Sequence, residues 1–406
     1  MSIITDPQVL IPSNVDLQKW ATVACDQFSA EPDYWHELST FVGESPSTLK
    51  CVFPEIYLGK QSNSQTINSI INSMKTYDAL NIFSSPYKAV LVERQTLSGV
   101  RKGIVVAVNL DLYDWRNIAL PIRATEDTML DRLSIRVEIR KRAIFETPHT
   151  LLLLDDEKKE IIEPLFKNRN KMKMLYDFDL NMNGGHITGY ELNDINILSD
   201  KLSNLANVDV QIEKYGINAG IVLAVGDGNH SMAAAKIVWD ELKLSLSETE
   251  KQNHPAKYFL AEMLNIYDDS MVFDPIHRII FGADFSFINE MQQSLSGSGM
   301  IKLLTPNGDF YVNAPSAHSE AIAAVQTFIE KMLLKNPNLK VEYVHNETHL
   351  RQVMIKSGGI AISMPSFPKD ELFKYVATKG NLPKKSFSIG EPENKRYYLE
   401  CRRIKY

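Results

Sequence analysis

A six-residue apolar run, GIVLAV at 220–225, passes directly into Gly226-Asp227-Gly228-Asn229-His230-Ser231 and then into a helix-forming stretch over about 230–242. The run predicts a buried strand, and a strand that bends straight into a helix is the building unit of sheets covered by helices. The glycines accept backbone conformations that other residues resist, and they let a ligand approach the main chain. The first turn of the following helix offers N–H groups and a partial positive charge to an anion. That dipole alone contributes about 0.3–1 kcal/mol at an exposed site, so tight phosphate binding needs added donors, and Asn229, His230 and Ser231 are the candidates. Asp227 would repel a bare phosphate. The conflict is removed by a divalent cation such as Mg2+ between the two, or by a substrate hydroxyl that gives Asp227 a proton or hydrogen bond. A plain capping role for Asp227 or Asn229, worth about 0.5–2 kcal/mol, explains one residue but not the adjoining His and two glycines. A triad of Ser231, His230 and Asp227 is excluded, because neighbouring helical residues point about 100° apart.

The remaining chain alternates short strands and helices, which makes the class α/β or α+β, with a mixed β-sheet core and surrounding helices. Residues 65–78 predict a helix. Residues 89–95 and 103–110 predict strands joined by a hairpin through Ser98-Gly99. Residues 123–146 are helical in propensity, although Ile135, Val137 and Ile139 alternate. Residues 150–154 predict a buried strand, the basic run 167–173 a solvated face, and the glycine-rich 184–190 a turn between strands. Residues 244–254 are polar and suit a surface loop or helix end. Composition shifts toward Ser, Gly, Asn and Pro at 293–315. This divides the expected organisation into a main domain at 1–292 and a smaller C-terminal α/β portion at 293–406, whose last strand (397–404) is free to return to the main sheet. In that portion helices are predicted at 317–335, 347–356 and 369–378, and strands at 341–345 and 359–363.

Apolar residues form 44% of the 406 and charged residues 23%, a globular balance that excludes a largely disordered chain. Lys+Arg total 44 against 50 Asp+Glu, a net charge of -6 that argues against nucleic-acid or anionic-membrane binding as the main task. Cys25, Cys51 and Cys401 are odd in number and widely spaced, so neither a disulfide framework nor a structural zinc site is expected. The opening residues lack the basic start and apolar core of a signal peptide, and no apolar run reaches the ~20 residues of a spanning helix. The expected setting is cytoplasmic. No GxxxxGK[ST], strand-linked GxGxxG, HExxH, GxSxG or protein-kinase signature is present, so any chemistry uses a less common site.

Four further groups carry polar chemistry. Glu126, Asp127, Thr128, Asp131 and Arg132 include a candidate base (Glu126) and a candidate phosphate or carboxylate clamp (Arg132), with a salt-bridged surface helix as the plainer role. Pro275-Ile276-His277-Arg278 pairs two side chains that could bind an anion, with a partly buried His and an ion-paired Arg as the equally open reading. Cys25-Asp26-Gln27 precedes Glu31, Tyr34 and Trp35, a setting in which a lone Cys is usually packing. Leu382-Pro383-Lys384-Lys385-Ser386-Phe387 holds Lys385, which could reach a phosphate, with a solvated Lys pair as the plainer role.

Taken together and in this order, these segments resemble the family catalogued as domain of unknown function ten-fifteen. Its Asp-Gly-Asn-His-Ser box is matched by 227–231, its Glu-x-Thr…Asp-Arg segment by Glu126, Thr128, Asp131 and Arg132, and its Pro-x-His-Arg motif by Pro275, His277 and Arg278. Its Cys-Asp-Gln and Leu-Pro-x-Lys-Ser-Phe segments are matched at 25–27 and 382–387. The box is also similar, more remotely, to the phosphate loop of the ParB/sulfiredoxin-like superfamily, which includes chromosome-partition proteins, sulfiredoxin and free-serine kinases. Ser231 stands where that superfamily usually carries Arg. No Cys lies in the box, so sulfiredoxin activity is not implied. The resemblance implies a phosphoryl-transfer enzyme, kinase or phosphatase in direction. Its substrate would be a small hydroxylated or phosphorylated metabolite, serine or phosphoserine first, with ADP or ATP as nucleotide. In that reading Gly228, Asn229 and Ser231 hold phosphate, and Asp227 orients the hydroxyl or Mg2+. His230 or Glu126 moves the proton, while Arg132, His277, Arg278, Lys385 and Gln27 complete the anion site. The alternative is a non-catalytic ParB-like nucleotide-binding or DNA-associated protein.

Overall fold

The computed structural model describes residues 2–25, 28, 31–57, 63–130 and 133–406. Gln27, Asp131 and Arg132 lie outside the described residues. The chain divides into two compact units, Met1–Met271 with Pro392–Tyr406, and Val272–Glu391. The division therefore falls at 272 rather than at the compositional shift near 293, and the last residues belong with the first unit.

The first unit contains β1 (Ile4–Thr5), β2 (Ala89–Thr96), β3 (Gly99–Asn109), β4 (Ile122–Ala124), β5 (Phe145–Glu146), β6 (Leu151–Leu154), β7 (Met174–Asp179), β8 (His186–Leu192), β9 (Leu223–Asp227) and β10 (Tyr258–Asn265). All but β5 join in one mixed sheet of order β4-β9-β6-β10-β3-β2-β8-β7, with β1 added to β3. Strands β4 and β9 are parallel, as are β6 and β10, while the other contacts are antiparallel.

Alternation along the strands separates two cores. Ile104, Val106, Leu152, Leu223 and Val225 point to one face, where Met232, Ala233 and Trp239 of the helix Asn229–Leu242 cover them. Val90, Val92, Val105 and Leu260 point to the other. There they meet Ile67, Ile70 and Met74 of the helix Asn63–Ala79 and Tyr397, Leu399 and Cys401 of the C-terminal segment. Each such aliphatic side chain contributes about 1.5–3 kcal/mol on full burial.

The C-terminal segment does not supply a long strand to the main sheet. Arg402–Arg403 pairs only with β5, and Tyr398 and Cys401 make single bridges to Thr22 and Leu10. Residues 184–190 are mostly strand β8, and the turn lies before it. The stretch 123–146 contains β4, the helix Leu133–Arg142 and β5 rather than one helix.

The second unit holds β11 (Phe273–Asp274), β12 (His277–Phe281), β13 (Gly299–Thr305), β14 (Gly308–Ala314), β15 (Lys340–Val344), β16 (Ile360–Ser363) and β17 (Ser388–Ile389). Five form an antiparallel sheet of order β14-β13-β16-β12-β15, and β11 pairs with β17. The Ser/Gly-rich stretch at 293–315 thus encloses the β13–β14 hairpin. Among the described residues, no helix is long and apolar enough to cross a membrane.

Candidate functional site

The bend at 226–231 is half-buried at every residue, so solvent reaches it. Its shape comes from two local devices. Leu152 faces Val225 across the β6–β9 ladder but Leu151 faces Asp227, so Gly226 is an inserted residue. A single insertion reverses the alternation, and Asp227 shares the face of Leu151, away from the helix that follows. Gly228 then ends the strand in the left-handed region at φ 77° and is the N-cap of the helix Asn229–Leu242. A Cβ on Gly228 would stand 2.4 Å from Oγ1 of Thr150 and 2.8 Å from its Cα, so no larger residue fits. The N-cap residue, being glycine, has no side chain with which to cap this helix.

Asn229 instead fastens the neighbouring loop. Its Nδ2 donates to the Glu126 carbonyl at 3.0 Å and to Oγ1 of Thr128 at 2.9 Å, and its Oδ1 accepts from the Tyr113 hydroxyl at 3.1 Å. Both amide hydrogens are engaged, so Asn229 shapes the site rather than donating its side chain to a phosphate. The Met129 N–H donates to Nε2 of His230 at 3.1 Å, which makes Nε2 an acceptor and leaves Nδ1 as the protonated ring nitrogen. Thr125 Oγ1 donates to the Val225 carbonyl at 2.7 Å and ties the 125–129 loop to the end of β9. Ser231 lies in the first helical turn, with its N–H on the Gly228 carbonyl at 3.1 Å.

Asp227 accepts the Gly228 N–H on Oδ1 at 2.7 Å and the Lys395 ammonium on Oδ2 at 3.1 Å. The side chain of Lys395 is 7% exposed and that of Asp227 31%, so the anion faces outward and its cation lies beneath. Among the described residues, no group of three or more His, Cys, Asp or Glu gathers to hold a metal ion. Lys395 supplies a positive charge to Asp227 from within the chain.

The segment that carries Lys395 is clamped to the sheet. Nε and Nη2 of Arg94 donate to the Gly184 carbonyl at 3.1 and 2.9 Å, and Nη1 donates to the carbonyls of Lys395 at 2.6 Å and Asn394 at 3.3 Å. Arg101 lies directly opposite Arg94 in the ladder and donates to the Asn394 carbonyl at 2.9 Å. Burial and this mutual repulsion push Arg94 down from the ordinary guanidinium range. Arg396 pairs with Glu262 at 2.8 Å and Glu400 at 2.6 Å, and the Tyr176 hydroxyl donates to Glu400 at 2.5 Å. His149 leans on the Tyr398 ring at 4.8 Å between centroids.

Residues 10–354 match the family described as "Protein of unknown function (DUF1015)". The chain belongs to this family. No curated protein matches the sequence. Among solved structures, this DUF1015 chain is similar to a free serine kinase in complex with AMP (10% identity, TM-score 0.39, covering 74% of this chain and 92% of that one). It is also similar to a conserved hypothetical protein from Pyrococcus furiosus (10% identity, TM-score 0.38, 73% and 95% covered). A third is SbnI with C-terminal truncation from Staphylococcus aureus (11% identity, TM-score 0.37, 70% and 83% covered).

The motif residues of this DUF1015 member divide between the units. Asp227, Gly228, Asn229, His230, Ser231, Glu126 and Thr128 come together in the first. His277, Arg278 and Lys385 belong to the second, and two of them are interior. His277 is 4% exposed, accepts the Met364 N–H on Nδ1 at 3.0 Å, and is pushed down in pKa by burial. Arg278 is fully buried, with Gln326 Oε1 at 3.3 Å and the Lys385 carbonyl at 2.9 Å from Nη2, and with Nη1 on the Ile276 carbonyl. These contacts tie His277 and Arg278 to the backbone of their own unit. Lys385 takes φ 61° at the turn that Arg278 grips. Sequence reading missed Tyr113, Thr150 and Lys395. Only Lys395 left a trace, as part of a cationic pair immediately before the apolar-aromatic run at 397–399.

Proposed function

We propose that this protein is a phosphoryl-transfer enzyme acting on a small hydroxylated metabolite with a nucleotide as phosphate partner. The observation that supports it best is the half-exposed, glycine-capped helix start at 228–231, set beside a carboxylate paired with Lys395. The backbone amide of Asn229 and the positive end of the helix would receive a phosphate oxygen there, since the Gly228 and Ser231 N–H groups already donate to Asp227 Oδ1 and to the Gly228 carbonyl. The substrate hydroxyl oxygen would attack phosphorus, the bond from phosphorus to the leaving oxygen would break, and the hydroxyl proton would pass to a carboxylate. Asp227 or Glu126 takes that proton in this reading. His230 is the less suited base, since its Nε2 already accepts the Met129 N–H; its Nδ1–H is instead a donor for developing charge.

Serine and phosphoserine are the first substrates to try, as the family resemblance implies. The full chain is incubated with serine plus ADP or ATP, and separately with phosphoserine plus AMP or ADP, with Mg2+, and followed by phosphorus NMR. New phosphate-ester or nucleotide resonances that disappear in Asp227→Asn are expected. Nucleotide binding without turnover across the panel would return the non-catalytic nucleotide-binding reading. Neither binding nor turnover would overturn both.

A further inference from the structure

We propose that Lys395 is the cation that receives the phosphate-bearing ligand at the 226–231 bend, so that ligand binding there needs no divalent metal. This rests on the reading above and names a residue outside the motif segments quoted above. Lys395 lies beyond the matched span of 10–354.

Three observations carry it. First, Asp227 stands at the mouth of an anion-accepting bend, where an uncompensated carboxylate would repel phosphate. Lys395 Nζ, 3.1 Å from Oδ2, supplies the compensation from within the chain. An ammonium has three N–H donors in no fixed plane, so it can turn between a carboxylate and a phosphoryl oxygen. Second, Lys395 is held in place by its main chain. Its carbonyl accepts from Arg94 at 2.6 Å, and the next residue is locked by Glu262 and Glu400. A lysine fixed in this way loses little further freedom when a ligand arrives. Third, Arg101 is 3% exposed on the same sheet face, and Asp227 is among the charges that act on it. Among the described residues its Nε and Nη2 have no hydrogen-bond acceptor, the nearest paired carboxylate being Glu262 at 3.9 Å from Nε. Buried guanidinium hydrogens without acceptors are costly, and an anion drawn to this face reduces that cost.

The ligand class is therefore a phosphate or diphosphate group on a small molecule. The test is isothermal titration of the full chain with ADP and with inorganic pyrophosphate, each in EDTA and in Mg2+. Wild type is expected to bind in EDTA. Lys395→Met should weaken binding by about tenfold or more, Lys395→Arg by only a few-fold, and Asp227→Asn should bind more tightly. Unchanged binding in Lys395→Met, or wild-type binding that appears only with Mg2+, overturns the proposal and leaves the phosphoryl-transfer reading standing. Failure of wild type to bind either probe under any condition removes that reading as well. If Lys395→Met does not fold, the double variant Asp227→Asn/Lys395→Met removes both charges together. Weakened binding by the double variant supports the role of Lys395, and binding equal to wild type overturns it.

Discussion

Nδ2 of Asn229 stands 2.9 Å from Oγ1 of Thr128 and 3.0 Å from the Glu126 carbonyl, so one amide joins the start of the helix Asn229–Leu242 to the loop after β4. The two segments are about a hundred residues apart in the chain and meet because β4 and β9 are parallel neighbours. Asn229→Ala removes both donors and leaves the Tyr113 hydroxyl without its acceptor. We expect a loss of about 1–3 kcal/mol in urea unfolding and a larger proportional loss of ligand binding. Thr128→Ala should cost less, since the carbonyl bond remains. Equal stability of Asn229→Ala and wild type would show that the loop holds itself.

Gly228 and Gly216 form a matched pair of glycines. Both have positive φ, 77° and 80°, but a Cβ on Gly216 would meet nothing within 4 Å while one on Gly228 would press on Thr150. Gly216→Ala should cost about 1 kcal/mol, the strain of a left-handed alanine alone. Gly228→Ala should cost clearly more, because the Thr150 backbone must also move. Thermal denaturation of the two variants side by side measures the difference. Equal melting temperatures would mean that Thr150 yields freely.

His186 bridges two carboxylates, with Nδ1 2.7 Å from Asp179 and Nε2 2.8 Å from Asp177. Both partners accept hydrogen bonds, so the ring is held doubly protonated, and the Asp179 and Asp177 bonds raise its pKa. The Thr188 hydroxyl and His186 lower that of Asp177. The His186 contribution to the β7–β8 hairpin is therefore full below its unfolded pKa of about 6.5 and is lost as pH rises through the higher folded value. The Asp177 contribution is full above about 3.9 and is lost as pH falls through its depressed value. The melting-temperature difference between wild type and His186→Gln should be flat from about pH 4 to 6 and shrink above that. A difference that grows with pH would contradict the bridge.

How much of this was legible in the sequence follows the reach of each signal. The strand, bend and helix around Asp227 are contiguous, so the apolar run and glycines announced them. Lys395 is 168 residues from Asp227, and nothing local to either connects them. For Arg278 the sequence left anion binding and an ion-paired structural role equally open. Here Gln326 and two backbone carbonyls satisfy it, a set of partners that sequence spacing does not display. The β13–β14 hairpin was hidden by the Ser and Gly around it, although buried Ile301 and Leu303 alternate with exposed or half-buried Met300 and Lys302. The boundary at 272 was missed because no composition shift marks it. Chain topology places it, with Pro392–Tyr406 returning to the first unit.

Arg94 binds that returning segment most directly, through carbonyls of residues 393–395 as well as Gly184. A lysine has no planar fork and cannot reach all of these oxygens at once. In wild type Lys395 and Arg396 are each 6% exposed and closed to trypsin. Arg94→Lys should free the segment to open locally, so that limited trypsin digestion cuts after Lys395 or Arg396 before other sites, as read by intact-mass spectrometry. The same variant should weaken pyrophosphate binding even though Lys395 is unchanged, because the ammonium is no longer held against Asp227. Identical digestion patterns for Arg94→Lys and wild type would show that Arg396, through Glu262 and Glu400, suffices to hold the segment, and that Arg94 is not the clamp.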